Sequence, residues 1–181
     1  MSKPWLLLDV DDVLNWIDRK GHKPPYCGCA EHRQWISRSI EASNGIRYRV
    51  TMNPDFGPLL RSLAKEHDAQ LAWYTSWGED ANSVIGRHFG FDELPVVPFP
   101  PWPGRTTSHP GYGVWKGTCL VQWARMTGHP FGLFDNEPEI PGVVEAARLT
   151  QPHLVVQVDP RTGLTEENIE TAGTWLASLP A

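Results

Sequence analysis

Apolar and polar positions along this chain fall into short blocks of two kinds. Trp5-Leu6-Leu7-Leu8, Leu71-Ala72-Trp73-Tyr74, Leu94 to Val97, the run from Pro130 into Phe134, and Leu154 to Val158 are brief and mostly apolar. Runs of that length, apolar on both faces, predict strands covered on both sides of a sheet. Between them the period lengthens. Pro54 to His67 carries Leu59, Leu60, Leu63 and Ala64 as a stripe at helical spacing, with Asn53 as its cap and Pro54 in its first turn. Helices are also predicted over Glu79 to Phe89, stopped by Gly90, from Val114 to about Thr127, and from Pro138 to Arg148. Thr165 caps a last helix, with Glu167 or Asn168 in its first turn and Ile169, Ala172, Leu176 and Leu179 on its inner face. Strands alternating with helices predict an α/β fold with a five-stranded parallel sheet and helices on both faces.

Two stretches break the alternation. Residues 16–53 begin polar and turn-rich, then give Trp35 to Ile40 and the alternating run Ile46 to Val50 around Ser43-Asn44-Gly45. Asn-Gly between such runs predicts a β-hairpin. The second break, Pro98 to Gly113, is dense in proline, which excludes helix and central strand. A loop this long within a compact domain points to function or disorder. Here it is expected to shape a substrate pocket, with Trp102 and Arg105 as candidates.

The first strand ends in acid, Asp9-Val10-Asp11-Asp12. In an extended chain Asp9 and Asp11 point the same way. Two such carboxylates at the C-terminal edge of a buried strand sit where parallel sheets bind ligands. They tolerate each other if a cation is near or if one holds a proton. Both conditions suit phosphoryl transfer: a hard cation screens phosphate, one carboxylate attacks phosphorus, and its neighbour handles the proton.

Asp9-x-Asp11-x-Val13-Leu14 after an apolar strand resembles the first motif of the haloacid dehalogenase (HAD) superfamily. The resemblance implies a Rossmann-like fold and makes Asp9 the nucleophile, Asp11 the acid/base, and the Asp11 backbone carbonyl a ligand of Mg2+. Many relatives have Gly where Asp12 stands, and Asp tolerates unusual turn dihedrals. Further matches follow in the family's order. Thr75, with Ser76 as the alternate, ends the second strand and would donate to a phosphate oxygen. Lys116 would steady the transferring phosphoryl group. Asp135 would ligate magnesium. Asn136 stands where a second acid is common; its amide oxygen still binds metal, without charge, and Glu137 or Glu139 could supply the missing charge. The hairpin matches the family's flap, so Arg38, Arg47 and Arg49 are candidates for substrate contact, and Trp77 for the flap or a pocket wall. Residues 1–181 are then one HAD-like domain with 16–53 as a flap or minimal cap. The chain is also loosely similar to HAD domains associated with RNA repair proteins, through Leu8 to Asn15, Trp73 to Trp77 followed by Ala81-Asn82, and Asp159 to Thr165.

The implied activity is a magnesium-dependent phosphatase acting on a phosphomonoester through an aspartyl-phosphate, with a nucleotide, another phosphorylated small molecule or a nucleic-acid end as substrate. The alternatives are a catalytically weak or inactive phosphate- or nucleic-acid-binding module, and a phosphotransferase.

Composition narrows this picture. A formal charge of −5 disfavours a broad grip on nucleic acid, though not recognition of one phosphorylated end. No apolar run approaches the roughly 20 residues of a membrane helix, and no signal peptide is expected. Three cysteines argue against a disulfide framework and fit a cytoplasmic location. No obligate protein partner is inferred. Cys27-x-Cys29-x-x-His32, with His22 upstream, lacks the matched second pair of most structural zinc sites.

Overall fold

The apolar run Leu6 to Leu8 is fully buried, as a strand covered on both faces must be. In the computed structural model, which describes residues 2–17, 35–104 and 111–180, it forms β1 (Trp5–Leu8) in the middle of a four-stranded parallel sheet. The order is β4-β1-β5-β6, with β4 Gln70–Trp73, β5 Phe131–Asp135 and β6 His153–Gln157. An antiparallel pair, β2 (Ile36–Glu41) and β3 (Arg47–Met52), stands apart from it.

Strand parity sorts the core into two layers. Leu6, Leu8, Trp73 and Phe134 face one side, against α1 (Phe56–Glu66) and α4 (Glu166–Ser178). Leu7, Ala72, Leu133 and Phe131 face the other, against α2 (Tyr112–Thr127) and α3 (Ile140–Ala146). The fold is thus mixed α/β, with helices on both faces of the sheet. Among the described residues no helix is long and apolar enough to cross a membrane.

Local chemistry accounts for the element ends. Asn53 is buried and its side-chain oxygen accepts from Asp55 N–H at 3.1 Å, just ahead of α1. Thr165 and Asn168 form a reciprocal capping box on α4. Gly45 takes φ +77° in the hairpin turn, as the Asn-Gly signal requires.

Two expected elements do not form. The sheet has four strands, not five: Val96 makes only an isolated parallel bridge with Trp73. Pro95 and Pro98 flank that bridge, and neither can donate to a ladder. Trp73 N–H reaches the Pro95 carbonyl at 2.8 Å and Val97 N–H the Trp73 carbonyl at 2.9 Å. Residues 79–89 are not one α-helix either. A π-helical turn, Ala81–Ile85, runs into a 3₁₀ turn, Gly86–His88. The reason lies in side-chain demands. Asn82 Oδ1 accepts from Trp73 Nε1 and Leu94 N–H, its Nδ2 donates to the Leu94 carbonyl, and Gly86 lies against the Trp73 ring. α1, α3 and α4 are shorter than their sequence ranges by a residue or two at their ends, as fraying termini are, whereas α2 begins at Tyr112, two residues earlier than expected and inside the run read as loop. Most of the 16–53 insertion before Trp35, including His22, Cys27, Cys29 and His32, and also Arg105, lie outside the described residues.

The two layers make a paired stability test. A Cβ at Gly57 would collide with the Phe89 backbone carbonyl, which cannot turn aside. Gly57→Ala is expected to destabilise by about 1–3 kcal/mol or more through overpacking. Gly142→Ala, in α3 with open space at its Cβ, should instead stabilise by about 0.5–1 kcal/mol. Chemical denaturation of both variants reads the difference.

Candidate functional site

β1 and β5 are neighbours, with Leu7 opposite Leu133 and Leu8 opposite Phe134. The next position on each strand is Asp9 and Asp135. Both carry the parity of Leu7 and Leu133, so both carboxylates emerge on the α2 side. Lys116 of α2 reaches between them. Its ammonium lies 2.9 Å from Asp9 Oδ2 and 2.8 Å from Asp135 Oδ2, with all three side chains nearly or wholly buried. The Asp135 Oδ2 contact is an ion pair rather than a well-angled hydrogen bond. Asp135 Oδ1 accepts from Glu137 N–H at 2.9 Å. The Tyr74 hydroxyl donates to the Lys116 carbonyl at 2.6 Å, which fixes this turn of α2 on β4.

Electrostatics follow from burial. Burial alone would pull the Lys116 ammonium down, but Asp135 and then Asp9 outweigh it and hold it well above its ordinary range. Burial lifts the Asp135 carboxyl, and the adjacent ammonium opposes that rise. At these distances the ion pair governs, so Lys116 stays charged.

Asp11 reaches the same cavity by a different route from the extended strand expected. β1 ends at Leu8, and Val13, Leu14 and Asn15 N–H all converge on the Val10 carbonyl. Asp12 takes φ +58°, the left-handed conformation that favours Gly and that Asp tolerates. This tight loop turns Asp11 toward two donors. Asn15 Nδ2 donates to Oδ1 at 2.8 Å and Trp77 Nε1 to Oδ2 at 3.0 Å. Burial raises the Asp11 carboxyl above its ordinary value, with Asp9's charge adding to the rise and the two hydrogen bonds opposing it. Asn15 Oδ1 in turn accepts from Thr51 N–H of β3 at 2.9 Å, so one amide ties the acid to the hairpin. Tyr48 of β3 also packs on Trp77, with ring centroids 5.0 Å apart.

A cavity of about 340 Å³ opens here, walled by Asp9, Asp11, Asp12, Ser76, Tyr112 and Glu137, with Asn136 at its rim. Four of those side chains are carboxylates, and among the described residues no Lys or Arg lines it. Burial, and then the charge of Asp135, push the Glu137 carboxyl up to about 7. Burial pushes the Tyr112 phenol up to about 12.

The chain has no match among family models, curated proteins or solved structures. The reading of the site therefore rests on this chain's own geometry.

Asp9, Asp11, Asp135 and Lys116 are brought together. Thr75 is buried and does not line this cavity, while the alternate, Ser76, is exposed and lines it. Arg47 and Arg49 do not reach it. They lie on the hairpin face opposite Tyr48, and Arg47 is exposed and pairs with Glu41 at 3.0 Å. Arg38 is likewise exposed, bonded to the neighbouring Ser37 carbonyl. Trp77 packs on the hairpin through Tyr48 and donates to Asp11, but it is not in the lining of this cavity. Sequence reasoning missed Asn15 and Tyr112. Asn15 closes the same motif as Asp9, so its position was a usable signal. Tyr112 had none beyond its place four residues before Lys116.

The donor set suits magnesium in kind: two carboxylates, the Asp11 carbonyl and the Asn136 amide are hard oxygen ligands. Among the described residues no three His, Cys, Asp or Glu side chains form a metal cage. Magnesium does not need one, because it binds through one or two carboxylates with substrate oxygens and water.

Two stability predictions follow from these charges. Lys116→Met leaves two carboxylates buried without their cation and should cost about 3–5 kcal/mol in chemical denaturation. The Glu137 carboxyl, ordinarily near 4.5, sits at about 7 in the fold. The folded protein thus binds more protons between those values, and stability should fall as pH rises from 4.5 to 7. In metal-free buffer, Glu137→Gln should flatten that fall and raise the melting temperature at pH 8.

Proposed function

We propose that this chain is a magnesium-dependent phosphatase of the HAD type, hydrolysing a phosphomonoester through an aspartyl-phosphate on Asp9. The observation that carries the reading is the charge of the cavity. Asp9, Asp11, Asp12 and Glu137 face a space whose nearest cation, Lys116, is already engaged by two carboxylates. A phosphate dianion is repelled there unless a further cation enters with it. Asp9, the Asp11 carbonyl and Asp135, with the Asn136 amide, are the groups that would hold magnesium, whose charge offsets that of the phosphoryl oxygens.

The protein groups divide the remaining work. Asp9 forms the bond to phosphorus as the bond to the leaving oxygen breaks. Asp11, with its raised affinity for protons, delivers a proton to that oxygen and releases an alcohol. The Asp11 carboxylate then takes a proton from water as the water oxygen attacks phosphorus. The acyl-phosphate bond breaks, phosphate leaves and Asp9 is restored. Ser76 at the wall, or its neighbour Thr75, supplies a neutral donor to a phosphoryl oxygen. Lys116 pairs with the Asp9 carboxylate and holds its aim. The phosphorylated molecule is either small or the end of a nucleic acid.

One observation favours a second reading, a phosphate- or nucleic-acid-binding module without turnover. Asn136 brings no charge to the rim where another acid would strengthen metal binding.

Release of phosphate from p-nitrophenyl phosphate separates the two. The expected result is turnover that requires magnesium, is abolished in Asp9→Asn, and falls about 10²–10⁴-fold in Asp11→Asn. Absence of turnover on a broad panel of phosphomonoesters, with magnesium present, would leave the binding module standing.

A further inference from the structure

Beside the acidic cavity lies a second one of about 510 Å³, in the usual size range for small-molecule sites. Its character is opposite. Phe99, Pro100, Pro101, Trp102, Tyr112 and Trp115 frame it, and Glu79 is its one charged lining residue among those described. Ser76 and Tyr112 line both cavities, so the two adjoin at these residues. The rings meet edge-on or tilted rather than face to face. Trp102 stands 5.7 Å from Tyr112 at 82° and 5.3 Å from Trp115 at 56°, and Phe99 stands 5.4 Å from Trp115 at 78°. Trp102 and Trp115 are only half-buried.

We propose that this cavity is the subsite for a planar aromatic group on the alcohol side of the phosphomonoester, with Tyr112 and Ser76 forming the passage to Asp9. The proposal rests on the hydrolase reading and adds the substrate class to it. Three observations select the occupant. The cavity's described walls are aromatic and proline surfaces with one carboxylate, Glu79, which repels a second phosphate and disfavours a strand of nucleic acid running through it. Tilted tryptophan and proline surfaces suit a flat ring, whose edges and faces both find partners. The shared Ser76 and Tyr112 set such a ring against the edge of the cavity that holds Asp9. The proline-rich run 98–101 holds this wall without helix or ladder hydrogen bonds. Phe99 locks it to the sheet through Tyr74, with centroids 4.9 Å apart.

Two measurements test this. First, the ratio of kcat/KM for 2-naphthyl phosphate to that for glycerol phosphate is compared between wild type and Trp102→Ala. A drop of about tenfold or more, carried by KM for the aryl substrate and restored in Trp102→Phe, is the expected result. An unchanged ratio overturns the proposal. Second, calorimetry measures binding of 2-naphthol, which carries no phosphate. The wild-type protein should bind it and Trp102→Ala should not. If no phosphomonoester is turned over yet naphthol binds through Trp102, the hydrolase reading falls and the subsite stands. If both phosphates are hydrolysed but naphthol does not bind, for instance because the chain itself fills the space, the subsite falls and the hydrolase stands.

Discussion

Everything at the sheet's working edge depends on one buried cation. Register and parity force Asp9 and Asp135 side by side at the ends of adjacent parallel strands, both inside the fold. Two buried carboxylates so placed repel each other in a medium of low dielectric, and burial penalises each separately. The Lys116 ammonium, within 2.9 Å of both, makes the arrangement tenable. The long lysine stem matters as well: it lets α2 pack against the sheet through Leu120 and Ala124 while its charge reaches the strand ends. The helix, the two strands and the acids are therefore one construction.

Around that fixed centre, the other groups are held by loops rather than strands. Asp11 owes its place to a left-handed residue and a triple convergence on one carbonyl. Ser76, Trp77 and Tyr112 come from the exit of β4 and the entry of α2. The centre supplies rigidity, and the rim supplies the surfaces a ligand would touch. The acidic and aromatic cavities adjoin at Tyr112, which lines both. Its phenol stays protonated across ordinary pH because burial holds it near 12.

Much of this was legible beforehand, for identifiable reasons. Buried parallel strands are short apolar runs, and β1, β4, β5 and β6 announced themselves that way. Acid at the end of two such runs located the site, and the capping signal at Thr165 located α4. The failures have equally local causes. Leu94 to Val97 looks like a strand by hydrophobicity, but two flanking prolines deny it a ladder. Residues 79–89 look helical by period, but Asn82 is spent on Trp73 and Leu94, and the turns wind irregularly around that clasp. Arg47 and Arg49 could not be assigned a face without knowing which side of the hairpin turns inward. Tyr48 decides that by packing on Trp77. Asn15 was in plain view in the motif, yet its partners, Asp11 and Thr51, are 4 residues away in one direction and 36 in the other.

That asparagine couples two things usually considered separately. Its one amide serves as donor to Asp11 and acceptor from the hairpin backbone, so the hairpin cannot swing outward as a freely hinged flap without breaking the link or rotating the amide. Breaking the link leaves the amide free to turn, and rotating it takes the donor away from Asp11 Oδ1. The aim of the acid and the seat of the hairpin thus rest on a single side chain.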